Sequence, residues 1–282
     1  LAARPVEIRD GIAAATLAAI GPPVEIAEAP VAAASLQEPD AIISDDTDAG
    51  PDVRPVAFLP PDMRDASATR ADFRPPGALA DGSGQGLASG VNFAPGMRFP
   101  VETAQAFSNS QAWGPGGFYG LGDGQCAPEN YAYPWRDTFC EDGGPAAPIC
   151  PAGGSHTGQD LRPPTCQDGA HWAVAAADGV VTSVGAYSVR LMSEDGLRFT
   201  YLHLDPASLT VTSGDTVARG QRLGRISNAY GGTPATIHLR FEIRTAFIAG
   251  DAGLITAAVP PYAALVDGYA RLANGAERGE ES

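Results

Sequence analysis

Lysine is absent from this chain of 282 residues, so all 18 of its basic side chains are arginine. They are scattered, and against 33 acidic residues they leave a net charge of −15. A chain without a basic stripe lacks the electrostatic footprint of a nucleic-acid binder. The acidic balance favours solubility over adhesion to anionic surfaces. Long apolar runs are missing too: no stretch reaches the roughly 18–20 residues needed to span a bilayer as a helix. The chain opens on Leu1 rather than Met; the expectation is a processed form or a fragment, with a removed export signal or lipid anchor left open.

Aromatics are nearly missing from residues 1–92, where only Phe58 and Phe73 occur beside 11 prolines, many alanines and an acidic run from Glu38 to Asp52. Such a segment buries too little apolar surface to offset its ordering entropy. It is expected to be a disordered Pro/Ala-rich arm, with a short helix conceivable around Ile12–Ile20 and a flexible joint at Asp81–Gly86. The domain proper is expected over 93–273, and 274–282 is read as a polar, frayed tail.

From Met97 the composition changes. Residues 97–170 are rich in turns and aromatics and read as long loops laid over a core. Gly120-Leu121-Gly122-Asp123-Gly124 has the look of a phosphate loop but neither the preceding strand nor the following helix, so it reads as a turn. From Trp172 the signal is β. Trp172–Ala177 and Val180–Gly185 read as a hairpin about Asp178-Gly179, and Tyr187–Ser193 and Leu197–Leu204 as a second one. Further strands are expected at Thr210–Thr212, Arg222–Ile226 and Ile237–Thr245. The fold class is therefore mostly β, a compact antiparallel β-sheet domain.

Only four cysteines occur, Cys126, Cys140, Cys150 and Cys166, all in the loop-rich region. Without a CxxC pair they fit a zinc knuckle poorly and read as disulfides formed in an oxidising compartment. Of the three possible pairings, Cys126–Cys140 with Cys150–Cys166 is expected, because the second bridge would close the loop carrying His156 and Asp160.

Histidine is also scarce, and three of the four stand in recognisable contexts. His156-Thr157-Gly158-Gln159-Asp160 places a His and an Asp four residues apart, able to reach one metal from one loop. Tyr201-Leu202-His203-Leu204 and His238-Leu239-Arg240-Phe241-Glu242 follow in that order. The fourth, His171, reads as a surface residue beside Trp172. Two connecting segments carry further pattern, Ala176-Ala177-Asp178-Gly179-Val180-Val181 and Gly214-Asp215-Thr216-Val217-Ala218-Arg219-Gly220-Gln221.

Over residues 97–250 these motifs resemble the lysostaphin/LytM-type zinc metalloendopeptidases, which cleave the peptide cross-links of bacterial peptidoglycan. The resemblance implies a LytM-type (duplicated hybrid motif) fold, zinc ligands at His156 and Asp160, and catalytic assistance from His203 and His238. It implies an exported protein of the periplasm or cell envelope whose partners are peptidoglycan stem peptides or a cell-wall amidase.

The third zinc ligand of the pattern is a His, and Arg240 occupies its place. Arginine has five donors, no lone pair and a pKa above about 12, so it cannot ligate zinc. Beside the metal it would repel by roughly 8 kcal/mol before screening, at about 4 Å and an effective dielectric near 20. The expectation is that its guanidinium replaces the metal's charge and pairs with Asp160. The leading reading is a degenerate, metal-free domain that binds the wall or regulates a hydrolase. The alternatives are a working zinc endopeptidase, with His238 or His171 as a third ligand, and a purely structural envelope component. Arg162 is read either as a contact for stem-peptide carboxylates or as a solvated loop charge or a partner of nearby Asp168.

Overall fold

The computed structural model describes residues 72–120, 122–248 and 254–277. The acidic arm before residue 72, with its Ile12–Ile20 helix, lies outside the described residues, as does the tail from residue 278.

Nine strands and one helix form the framework: β1 (Gln159–Leu161), β2 (Trp172–Val174), β3 (Gly179–Val184), β4 (Ser188–Ser193), β5 (Arg198–Leu202), β6 (Thr216–Val217), β7 (Arg222–Arg225), β8 (Leu239–Ile248), β9 (Leu254–Val259) and α1 (Tyr262–Ala273). Seven strands make one antiparallel sheet in the order β1-β8-β5-β4-β3-β6, with β9 also on β8, and β2 pairs with β7 separately. Because β5 pairs with Arg240–Arg244 of β8, both β1 (at 239–241) and β9 (at 243–248) lie along the opposite edge of β8. The mostly β, antiparallel fold expected from the sequence is the one observed.

Strand alternation builds the core. Phe199 and Tyr201 of β5 and Leu239, Phe241 and Ile243 of β8 point inward and are buried with Leu161, Val181, Val189, Leu191 and Leu223. Residues between them on the same strands face the other way. Helix α1 follows Pro260 and Pro261 and packs on the earlier loops: Tyr269 lies 5.2 Å from Phe99 and 4.7 Å from Trp135 between ring centroids. No strand periodicity pointed to this helix.

Several expectations are corrected. The hairpin of Trp172–Ala177 with Val180–Gly185 does not form, because β2 pairs with β7 while β3 pairs with β4 and β6. The second hairpin does form, as β4 and β5. Residues 72–92 are packed on the domain rather than trailing from it. Phe73 bridges Trp135, Ser83 is fully buried, and the Asp142 N–H donates to the Ser83 carbonyl within the stretch read as a flexible joint. The start of the tail is ordered as well, since Glu277 accepts hydrogen bonds from Arg219 and Arg271.

All four cysteines are disulfide-bonded, but the pairing is Cys126–Cys166 and Cys140–Cys150. Local backbone bonds close 140–156 as a compact loop of its own, with the Cys140 N–H on the His156 carbonyl and the Ala147 N–H on Gly154. That brings Cys150 back to Cys140. Cys126 is left beside Cys166, and Arg162 pins the adjacent Gln125 carbonyl.

Candidate functional site

Because Leu239, Phe241 and Ile243 turn into the core, His238, Arg240 and Glu242 share the opposite face of β8. Asp160 on β1 and Leu202 on β5 stand directly across from Arg240. His203 follows β5 with φ 68°, a left-handed conformation that costs a non-glycine residue about 1 kcal/mol or more. This bend sets its ring 4.4 Å from the ring of His238. His156 is held at the head of β1, its N–H donating to the Glu141 carbonyl.

All three imidazoles are oriented in the same manner. Nδ1–H donates to a backbone carbonyl, from His156 to Thr138 at 2.7 Å, from His203 to Ala229 at 3.0 Å and from His238 to Thr236 at 2.8 Å. A carbonyl can only accept, so each Nδ1 carries hydrogen and each Nε2 is free to face the site. The Nε2 atoms of His156 and His238 lie 3.2 and 3.6 Å from Asp160 Oδ1.

Charge is arranged sharply across these few atoms. Burial would raise the Asp160 carboxyl, but His156 and His238 outweigh it and hold Asp160 well below the usual carboxylate range. Burial likewise works against charge on His156, yet Asp160 prevails and its pKa is raised. Burial, reinforced by His238, pushes His203 down to about 3, and burial also lowers His238. Beside the Asp160 carboxylate, protonation is thus favoured on His156 and disfavoured on His203 and His238.

Arg240 does not pair with Asp160 as expected. Its Nη2 donates to Thr157 Oγ1 at 3.1 Å, Thr157 Oγ1 donates to Glu242 Oε2 at 3.1 Å, and Arg244 closes the chain on Glu242 Oε1 at 3.0 Å. Gly158 makes this path possible: a Cβ there would come within 3.1 Å of Arg240 Cγ and 2.9 Å of the Phe241 carbonyl. Asp160 already has a cation in His156, so the guanidinium follows the neighbouring hydroxyl and carboxylate instead.

Zinc is the cofactor the motifs imply, and the donor set fits it only in part. In favour, Asp160 Oδ1 is buried without a hydrogen-bond partner, and two Nε2 atoms face it. Against, Arg240, where the resembled pattern has a His, is already engaged with Thr157. Among the described residues no group of three or more His, Cys, Asp or Glu side chains is arranged to hold a metal ion. His171, the other candidate ligand, is bonded to Thr165 at 2.7 Å instead. The residues present do not make a three-ligand zinc centre.

The structure therefore gathers His156, Asp160, His203 and His238 and leaves His171 out. Arg162, read as solvated or bound to Asp168, is fully buried beside Tyr131 with Nη1 on the Gln125 carbonyl. Two contributors carried no sequence signal. Gln125 Oε1 receives the Ile237 N–H next to His238, and Tyr230 meets the His203 ring edge-on at 5.3 Å. Both come from loops that only the tertiary fold brings to the strand ends.

Among solved structures, the chain is similar to the catalytic domain of the antimicrobial peptidase lysostaphin from Staphylococcus simulans, with 23% identity, 44% of this chain and 90% of that one covered, and a TM-score of 0.33. It is similar to a LytM protein from Ruminococcus gnavus, with 19% identity, coverage of 62% and 60%, and a TM-score of 0.35. The SpoIIQ–SpoIIIAH complex also matches, with 26% identity, coverage of 38% and 69%, and a TM-score of 0.29. The chain thus spans 60% of the Ruminococcus protein's length. No curated protein matches the sequence. The segment holding His156, Asp160, His203 and His238 lies within residues 154–252, which match the model of peptidase family M23.

Proposed function

We propose that this M23-type domain acts at the bacterial cell wall as a binding or hydrolase-regulating module that does not depend on zinc. The observation that carries the reading is Arg240. It stands where the family pattern has its third ligand and is tied into the Thr157–Glu242–Arg244 chain, while Asp160 takes its counter-charge from His156. A peptide lying along β8 would meet neutral Nε2 acceptors at His203 and His238, groups that accept hydrogen bonds from peptide amides. The two disulfides support an exported location, periplasm or envelope, where thiols oxidise. Stem peptides of peptidoglycan, or a cell-wall amidase that works on them, are the proposed partners.

The test is metal analysis of the purified chain combined with co-sedimentation on sacculi. The expected result is substoichiometric zinc and retention on sacculi that a chelator leaves unchanged. Stoichiometric zinc with chelator-sensitive release of wall fragments would instead establish a working endopeptidase, with His238 completing the ligand set. Association with neither sacculi nor an amidase would leave a structural envelope role.

A further inference from the structure

The loop from Ser110 to Gly120 lies outside the segment matched to the M23 family and presents three aromatic rings at the surface. Trp113 and Tyr119 stack at 4.9 Å with 25° between their planes, and Phe118 meets Tyr119 edge-on at 4.7 Å. Phe118 is 79% exposed and Tyr119 42%. Single exposed apolar side chains need no explanation, but contiguous exposed rings mark a contact site.

The shelf is pre-built. The Trp113 N–H donates to Ser110 Oγ, the Tyr119 N–H to the Ala112 carbonyl, and the Gly117 N–H to the Gly114 carbonyl. The polar edges of the rings are fixed as well, Trp113 Nε1 on the Asp142 carbonyl at 3.3 Å and the Tyr119 hydroxyl on the Gly143 carbonyl at 3.4 Å. A Cβ at Gly143 would stand 3.0 Å from the Tyr119 ring, so that seat requires glycine. With the edges occupied and Trp113 and Tyr119 each covering one face of the other, the largely exposed Phe118 ring and the outer side of the stack remain for a ligand, and little ordering entropy is left to lose on binding.

Charge narrows the ligand. No arginine occurs from Ser110 to Gln125 or from Glu141 to Ser155, while Asp123 and Asp142 are exposed. Arg162, whose guanidinium bonds the Gln125 carbonyl, is fully buried, so these two segments offer anionic polymers and acidic lipid headgroups no exposed cation. A neutral saccharide meets both features: the C–H face of a pyranose lies flat on an aromatic face, and its hydroxyls donate to an exposed carboxylate. The shelf is also tied, through neighbouring residues, to the loop that carries His156. Its ring edges rest on residues 142 and 143, and the carbonyl of Glu141 holds His156.

We propose that Trp113, Phe118 and Tyr119 form a binding site for neutral N-acetylhexosamine chains, placing the glycan strand beside the peptide groove. The choice of this sugar rests on the cell-wall reading above; the aromatic shelf itself does not.

The experiment titrates the chain with a soluble N-acetylglucosamine oligomer, followed by tryptophan fluorescence and calorimetry. Stem peptide, intact sacculi and phosphatidylcholine vesicles are tested in parallel. Saturable oligomer binding is expected, weakened about five- to tenfold or more by Phe118→Ala and unchanged by Val180→Ala on exposed β3. Absence of oligomer binding, or indifference to Phe118→Ala, overturns the proposal, as does binding to vesicles in place of the oligomer. Retention on sacculi without oligomer binding would sink the shelf and leave the cell-wall reading standing. Oligomer binding with neither sacculi nor stem peptide bound would do the reverse.

Discussion

Asp160 and Arg240 face each other directly across the β1–β8 pair, yet the imidazole nearest Asp160 is that of His156, while Arg240 bonds to Thr157. Opposite charges in register usually attract. Here the carboxylate is already compensated, and the arginine is drawn along the face to a hydroxyl that also serves Glu242.

Asp160→Asn removes the anion that sustains the His156 imidazolium. The variant is expected to lose about 3–5 kcal/mol of stability, the cost of breaking a buried pair from one side. The His156 pKa should fall below its ordinary value. Denaturant unfolding and imidazole NMR titration check both, and an unshifted His156 would show that Asp160 is not its partner.

Thr157→Val deletes the hydroxyl shared by Arg240 and Glu242. A loss of about 1–2 kcal/mol is expected, and zinc affinity should stay unchanged. Arg240→His is the complementary change, expected to create chelator-sensitive zinc binding if only the third ligand was missing. Calorimetry with zinc reads both variants.

The pH dependence of stability follows from two buried groups of opposite sign. Burial raises Glu141 from 4.5 to about 8. Its contribution is full below its unfolded pKa and is lost as pH rises through about 8. Burial lowers His203 from 6.5 to about 3, so its contribution is full above 6.5 and is lost as pH falls toward 3. The raised His156 adds to the loss on the alkaline side. A broad maximum between about pH 4.5 and 6.5 is expected, with up to about 1.4 kcal/mol lost per pH unit above it for each group still titrating. Glu141→Gln should flatten the alkaline slope; an unchanged slope in thermal unfolding from pH 6 to 9 would exclude Glu141 as its source.

The disulfides should differ in worth. Cys126–Cys166 closes 40 residues and Cys140–Cys150 closes 10. Chain-entropy reasoning gives about 4 and about 3 kcal/mol respectively. Replacing the first pair by serines should therefore cost about 1 kcal/mol more than replacing the second, as measured by denaturant unfolding.

The motifs made much of this domain legible. His156, Asp160, His203 and His238 could be chosen from the sequence because each sits in a short pattern beside a strand, and the spacing of two puts His238 and Arg240 on one face of it. Gln125, Glu141 and Tyr230 could not be chosen, since each reaches the site from a loop whose path depends on distant contacts. The disulfide pairing failed for a related reason: closing the loop around His156 and Asp160 favoured Cys150–Cys166, while backbone closure of 140–156 favoured Cys140–Cys150.

The sequence by itself determined the β class, the ordered motifs and the arginine at 240, because these depend on residue type and on periodicities of two. Only the tertiary structure decided where Arg240 goes. Its stem lies across the space left by Gly158, and its charge is claimed by Thr157 and, through it, Glu242, because His156 had already neutralised Asp160. That outcome is set by competition among buried charges brought together from β1, β8 and the 140–156 loop, which strand pattern alone does not encode.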